Sequence, residues 1–142
     1  HVGDSRTYRL RNSELVQLTT DHSFVQEQAD LGIISQEQID NHALKNLILR
    51  VVGSGEKLEV DMIASDVQAG DVFLLCTDGL SSMVAKDQIE EILSHELEPE
   101  IKTTMLIDQA NFIACHQDQF IEQVPDGAAE LERLTREGYT YF

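Results

Sequence analysis

The stretch of sequence that decides the fold is Val72-Phe73-Leu74-Leu75-Cys76-Thr77-Asp78-Gly79. Its first five residues are all apolar, which is typical of a central β-strand buried on both faces. Asp78 follows directly, and an ionised carboxylate is costly to bury unless a cation or hydrogen-bond donors compensate it. Mg²⁺ or Mn²⁺ would do so, because both take carboxylate and water oxygens as ligands. Asp78 could instead cap a following helix, and Asp78-Gly79 taken alone favours that cap.

Three further residues are candidates for chemistry. Asp4, in the sequence Gly3-Asp4-Ser5-Arg6, places a carboxylate just before a β-rich run, although this sequence also suits an Asx turn. His22 and His42 each have an acidic residue close by and could act as general acids, but a lone histidine is more often structural. The sequence has no zinc-ligand spacing, glycine-rich phosphate loop or nucleophile elbow.

The hydrophobic pattern predicts an α+β chain. Two β-rich runs within residues 5–18, separated by a polar turn, predict a hairpin. Residues 57–64 alternate apolar and polar side chains and predict a half-buried strand. An apolar stripe from Leu44 to Val51 has helical spacing and is interpreted as core packing. Caps and helical spacing predict helices over residues 24–31, 36–41, 85–93, 100–111 and 128–137.

Composition and charge exclude several classes of function. The chain has 142 residues, and 26 acidic against 10 basic residues give a formal net charge of −16. This charge argues against nucleic acid or an anionic membrane as a partner, since both require a basic surface. No apolar run approaches the roughly 20 residues of a membrane-spanning helix. The 2 cysteines do not form a disulfide framework, so we expect a reducing, cytoplasmic setting.

An ordered set of motifs resembles one family. The segments His1–Tyr8, Leu18–His22, His42–Arg50 and Gln68–Leu80 follow one another as in the bacterial PPM-type (type 2C) protein serine/threonine phosphatases. The resemblance covers about residues 1–111. It implies an α-β-β-α sandwich, two antiparallel sheets flanked by helices, here incomplete at the N-terminus. It also implies that the short helices between about 23 and 46 form the flap beside the active site.

The resemblance further implies metal-dependent hydrolysis. In this family a water that bridges Mn²⁺ or Mg²⁺ ions removes phosphate from phosphoserine and phosphothreonine. Asp78 matches a metal-ligand aspartate, and Asp4 matches an aspartate that helps to hold a further cation. His42 lies near a flap histidine associated with substrate handling. The resemblance therefore implies Mn²⁺ or Mg²⁺ as cofactor and phosphorylated proteins as partners.

Departures from the family pattern lead to further hypotheses. The chain begins at His1 without the Asp-Gly-x-Gly-Gly segment that supplies most of the metal ligands, so we expect it to be cut from a longer protein and to be inactive alone. Asp118 stands near the position of the last metal aspartate but lacks the usual glycines, and we expect residues 112–142 to be divergent. One alternative is a phosphatase-like domain that binds a partner without turnover. Another is a generic acidic α+β domain.

Overall fold

A computed structural model describes residues 1–39, 42–53, 55 and 57–123 of the chain, with the backbone alone over 117–123. This part of the chain is α+β, as the hydrophobic pattern predicts. None of its helices is long and apolar enough to cross a membrane. Its elements in chain order are β1 Arg6–Arg11, β2 Glu14–Gln17, α1 Phe24–Asp30, a 3-10 helix Gln36–Gln38, β3 Val72–Cys76, α2 Asp78–Ser81, α3 Lys86–Ser94 and α4 Pro99–Gln123.

The three strands form one antiparallel sheet in the order β2-β1-β3. The predicted hairpin is confirmed, and its turn residues Asn12 and Ser13 have φ values of 50° and 59°. Two consecutive left-handed residues give a turn whose twist matches the right-handed twist of the paired strands. β1 lies in the centre, where Tyr8 is opposite Gln17 of β2 on one side and Leu74 of β3 on the other.

The core lies on one face of this sheet, against α3 and α4. The buried core residues are Tyr8, Leu10, Leu15, Val84, Ile89, Leu93 and Leu106. The helices predicted over 85–93 and 100–111 are confirmed by α3 and α4, and α4 continues to Gln123. The helical pattern of α3 places Glu90 outward, yet its carboxylate accepts a 2.8 Å hydrogen bond from the backbone N–H of Leu15. Glu90 thereby links α3 to β2.

The prediction that β3 is central and buried on both faces is wrong for the part of the chain that the structure describes. β3 is an edge strand, and its core-facing residues Val72, Leu74 and Cys76 are half-buried. On the opposite face Phe73 and Leu75 are 38 % and 74 % exposed. A strand that is apolar on both faces is stable when a layer packs on each. The described residues supply one of those layers.

The half-buried strand predicted over 57–64 is also wrong. These residues belong to no strand, and Val60 and Met62 are 54 % and 95 % exposed. Asp61 exchanges two backbone hydrogen bonds with His1, of 2.8 and 3.0 Å. Strand propensity depends on a neighbouring strand and a buried face. The segment has neither among the described residues.

The segment between β2 and β3 confirms one predicted helix and changes the others. The helix over 24–31 is confirmed as α1, whose N-cap Ser23 accepts a hydrogen bond from the Gln26 N–H. The helix predicted over 36–41 is a 3-10 helix that ends at Gln38. Residues 40 and 41 lie outside the described residues, as does the helix predicted over 128–137. Core packing by the stripe from Leu44 to Val51 is wrong, because the segment forms a turn over 43–46 and an isolated bridge at Ile48 rather than a helix, and Leu47 is 46 % exposed.

Shortening Ile89 tests the core. Ile89 is 1 % exposed, so Ile89→Ala is expected to lower the free energy of unfolding by about 2–5 kcal/mol through lost burial and the cavity left behind. Ile107 on α4 is 54 % exposed, and Ile107→Ala should change it by less than about 0.5 kcal/mol. Urea denaturation followed by circular dichroism measures both. Equal losses for the two variants would contradict the assignment of the core.

Candidate functional site

Three carboxylates, those of Asp4, Asp21 and Asp78, line a cavity of about 380 Å³. The sheet register explains why two of them meet. Arg6 of β1 is paired with Cys76 of β3, and the strands are antiparallel. Asp4 lies two residues before Arg6 and Asp78 two residues after Cys76, so both lie at the same end of the sheet. The structure therefore brings together the two predicted metal ligands from positions far apart in sequence.

The pKa of the Asp4 carboxyl depends on its burial and on the other two carboxylates. Burial raises the pKa of the Asp4 carboxyl, and the negative charge of Asp78 raises this pKa further. Asp21 adds a smaller effect in the same direction, which Arg6 opposes. Asp4 and Asp78 are thus close enough to repel each other. A cation bound between two such groups would relieve that repulsion.

The local surroundings of Asp78 differ from both interpretations made from the sequence. Its side chain is exposed rather than buried at the end of the strand. It does not cap the helix either, because Thr77 occupies the N-cap position and Asp78 is the first residue of α2. An exposed carboxylate that borders a cavity keeps its oxygens free for a ligand.

An ion pair fixes the cavity wall beside Asp4. The Arg6 guanidinium donates to both carboxylate oxygens of Asp21, with Nη2 2.7 Å from Oδ2 and Nε 3.1 Å from Oδ1. Arg6 also donates to the Tyr8 hydroxyl at 3.2 Å. Two parallel donors give the pair a fixed orientation. The pattern of the sequence does not reveal this pair, because its members are 15 residues apart and join a strand to a loop.

His22 holds the backbone that leads to Asp4. Its backbone N–H donates to the Gly3 carbonyl at 2.9 Å, and the Gly3 N–H donates to His22 Nδ1 at 3.1 Å. Since Nδ1 accepts, the ring proton lies on Nε2, which donates to Asp61 Oδ2 at 3.1 Å. Gly3 has a φ of 101°, a conformation that favours glycine. His22 is a structural residue that fixes Gly3, and through it the position of Asp4.

The segment predicted as a flap is closed at its base by backbone hydrogen bonds. The Phe24 N–H donates to the Leu47 carbonyl at 2.8 Å, and the Leu49 N–H donates to the His22 carbonyl at 2.7 Å. Between these points the segment contributes Val25, Ile39, Lys45 and Asn46 to the cavity. It therefore forms one wall of the site.

His42 is not among the side chains that line the cavity. Its Nδ1 accepts a 3.1 Å hydrogen bond from the Leu44 N–H, and its ring lies 6.4 Å from that of Phe24. The structure thus unites Asp4 with Asp78 but not with His42. Two lysines, Lys45 and Lys86, do line the cavity although no motif in the sequence points to them.

The carboxylates present suit a hard divalent cation in part. Within the described residues, no group of three or more histidine, cysteine, aspartate or glutamate side chains could hold a metal ion. Asp4 and Asp78 could supply two oxygen ligands, and Mn²⁺ or Mg²⁺ commonly keeps several waters. Asp118 lies on the backbone of α4 rather than before a strand, and its side chain is outside the described residues.

Comparison with known proteins shows which proteins the chain is similar to. The chain is 45 % identical over 111 residues to the serine/threonine phosphatase stp of Listeria monocytogenes. It superimposes on the S. agalactiae serine/threonine phosphatase with a TM-score of 0.74 and 33 % identity over 80 % of the chain. Over this match the chain is similar in sequence and structure to serine/threonine phosphatases of the PPM type. No protein-family model matches it.

The chain spans less than half of these phosphatases. The match covers 78 % of this chain but 44 % of the Listeria phosphatase, and 47 % of the S. agalactiae chain. The catalytic domain of the phosphatase PstP in complex with 2 manganese ions is also similar, with a TM-score of 0.66 and 39 % identity. That match covers 78 % of this chain and 44 % of the PstP chain.

Replacing His22 tests how the phosphatase fold holds Asp4. His22→Ala leaves the Gly3 N–H without its acceptor, and we expect the free energy of unfolding to fall by about 1–3 kcal/mol. His22→Asn keeps an acceptor near the position of Nδ1 and should lose less. His95 is exposed after α3, so His95→Ala serves as the control. Thermal or urea denaturation of the four proteins that shows no larger loss for His22→Ala than for His95→Ala would refute this role.

Proposed function

We propose that the protein to which this chain belongs is a metal-dependent phosphatase of phosphoserine and phosphothreonine in proteins, with Asp4 and Asp78 as metal ligands. The observation that carries the proposal is the meeting of these two carboxylates at one end of the sheet, on one cavity. Burial raises the pKa of the Asp4 carboxyl and the charge of Asp78 raises it further, and a cation bound between the two carboxylates would offset both effects.

Mn²⁺ or Mg²⁺ bound there would neutralise phosphoryl oxygens and favour the attack of water on phosphorus. The similar PstP domain contains 2 manganese ions, which supports this choice of cofactor. The residues of this chain would orient the site. The Arg6–Asp21 pair fixes the wall, and His22 fixes Gly3 so that Asp4 stays on the cavity.

The proposed domain is an α-β-β-α sandwich of which this chain supplies one part. One face of β3 is apolar and exposed, and its Leu75 is 74 % exposed. Such a face is expected where a second sheet packs against the first. Residues 23–46 would act as the flap, with His42 close to the substrate when the flap moves. Residues 112–142 would be a divergent segment, and Asp118 is not among the metal ligands that we propose.

We expect the 142-residue chain to be inactive by itself. Two carboxylates do not complete a binuclear metal site, the third carboxylate of the cavity, Asp21, is paired with Arg6, and the described residues contain no group of three side chains that could hold a metal ion. The same observation favours a second candidate, a phosphatase-like domain that binds phosphoproteins without hydrolysing them.

A hybrid enzyme tests the proposal. In the Listeria stp, the matched 111-residue segment is replaced by the corresponding segment of this chain. We expect Mn²⁺-dependent release of phosphate from a phosphothreonine peptide, because the hybrid would complete the site. Asp78→Asn and Asp4→Asn should each reduce the rate by roughly tenfold or more, since even supporting residues of metal sites cost that much. Asp108→Asn, exposed on α4, is the matched control and should leave the rate unchanged.

The outcomes separate the two candidates. A folded hybrid that is inactive but binds the phosphopeptide would favour the non-catalytic domain. Equal activity of the Asp78→Asn hybrid and the parent hybrid would contradict the assignment of the metal ligands. Mn²⁺-dependent hydrolysis by the 142-residue chain alone would contradict its expected inactivity.

A further inference from the structure

Five of the eight basic residues that the structure describes are engaged by other groups. Arg6, Arg9, Arg11 and Arg50 pair with aspartates, and the Lys102 ammonium donates to the Leu93 carbonyl at 2.7 Å. The other basic residues that the structure describes are Lys45, Lys57 and Lys86. The ammonium groups of these three have no hydrogen-bond or ion-pair partner within the described ranges.

Two of these three lysines line the cavity that contains Asp4 and Asp78. Lys45 comes from the segment between α1 and β3, and Lys86 is the first residue of α3. Both are exposed, whereas the wall near them includes the buried residues Val25 and Val84. Two separate parts of the chain therefore each place one unpaired lysine ammonium group on the same cavity.

The charge of the chain makes this arrangement informative. With 26 acidic residues and 10 basic ones, the chain has many carboxylates that could pair with a cation. Four arginines form such ion pairs. Two cations that remain unpaired on a cavity can interact with an anionic ligand without first breaking an internal ion pair. Their local positive charge also offsets the repulsion that the chain as a whole exerts on an anion.

We infer that Lys45 and Lys86 bind an acidic side chain next to the phosphorylated residue of the substrate, and so make phosphopeptides with acidic flanks the preferred class. This inference rests on the proposed function, in which the cation held by Asp4 and Asp78 receives the phosphate. The lysines, which come from other elements, receive the group beside it. They determine specificity and take no part in the reaction.

Binding of peptides to the full 142-residue chain in the presence of Mn²⁺ tests the inference. One fluorescent phosphothreonine peptide carries Asp and Glu on both sides of the phosphothreonine, and its partner carries Asn and Gln at the same positions. Fluorescence anisotropy gives the dissociation constant of each peptide for three proteins. These are the parent chain, a double variant that carries Lys45→Ala and Lys86→Ala, and the control variant Lys57→Ala. Lys57→Ala removes one positive charge, as each substitution of the double variant does, from an exposed lysine outside the cavity.

We expect the parent chain to bind the acidic peptide more tightly than the neutral one. The double variant should weaken binding of the acidic peptide by roughly two- to fivefold per lysine, the range that exposed ion pairs give, and leave the neutral peptide unaffected. The control should behave like the parent. NMR shifts of the Lys45 and Lys86 backbone amides on addition of the acidic peptide would place the contact.

Four results would each overturn the inference. The parent chain could show no preference for the acidic peptide, or it could bind neither peptide. The double variant could bind both peptides more weakly by the same factor, or Lys57→Ala could have the same effect as the double variant. Failure of the proposed function gives a different pattern, because the hybrid enzyme would then lack Mn²⁺-dependent hydrolysis whatever the flanking residues. An active hybrid that shows no preference for the acidic peptide would contradict the inference about the lysines and leave the proposed function intact.

Discussion

The placement of two carboxylates, Asp4 and Asp78, on one cavity is the constraint on which the rest of the site depends. Burial raises the pKa of the Asp4 carboxyl, and the negative charge of Asp78 raises this pKa further. The surrounding structure nevertheless holds them there. Gly3 is bound on both sides of its backbone by His22, and β3 delivers Asp78 at the same end of the sheet. Because two negative carboxylates held on one cavity repel each other, a divalent cation bound between them is favoured.

The supporting residues show how a small sheet can position such a site. The central strand β1 provides Arg6, which fixes Asp21, while its Tyr8 and Leu10 enter the core on the face covered by α3 and α4. The other face of the sheet is open at Leu75. The chain spans less than half of the length of these relatives. It still has the strand register that places the two carboxylates together, and it exposes the apolar face of β3.

Local pattern predicted the parts of the fold that local interactions decide. The hairpin, α1, α3 and the first half of α4 follow from turn residues, caps and amphipathic spacing. The predictions of a strand over 57–64 and of a second buried face on β3 were wrong, because both depend on layers that the described residues do not supply. At the site, the resemblance to the phosphatases gave Asp4 and Asp78. The Arg6–Asp21 pair, the role of His22 and the two cavity lysines depend on contacts across the fold that spacing does not encode.

Titration of the isotopically labelled chain with Mn²⁺, followed by NMR, tests most directly whether Asp4 and Asp78 form one cation site. The account predicts that at substoichiometric Mn²⁺ the signals of Asp4 and Asp78 broaden first and together, while that of Asp108 on α4 persists. With a net charge of −16, weak binding over the whole surface is the competing behaviour. Broadening spread evenly over the acidic residues, or confined to one of the two aspartates, would contradict the account.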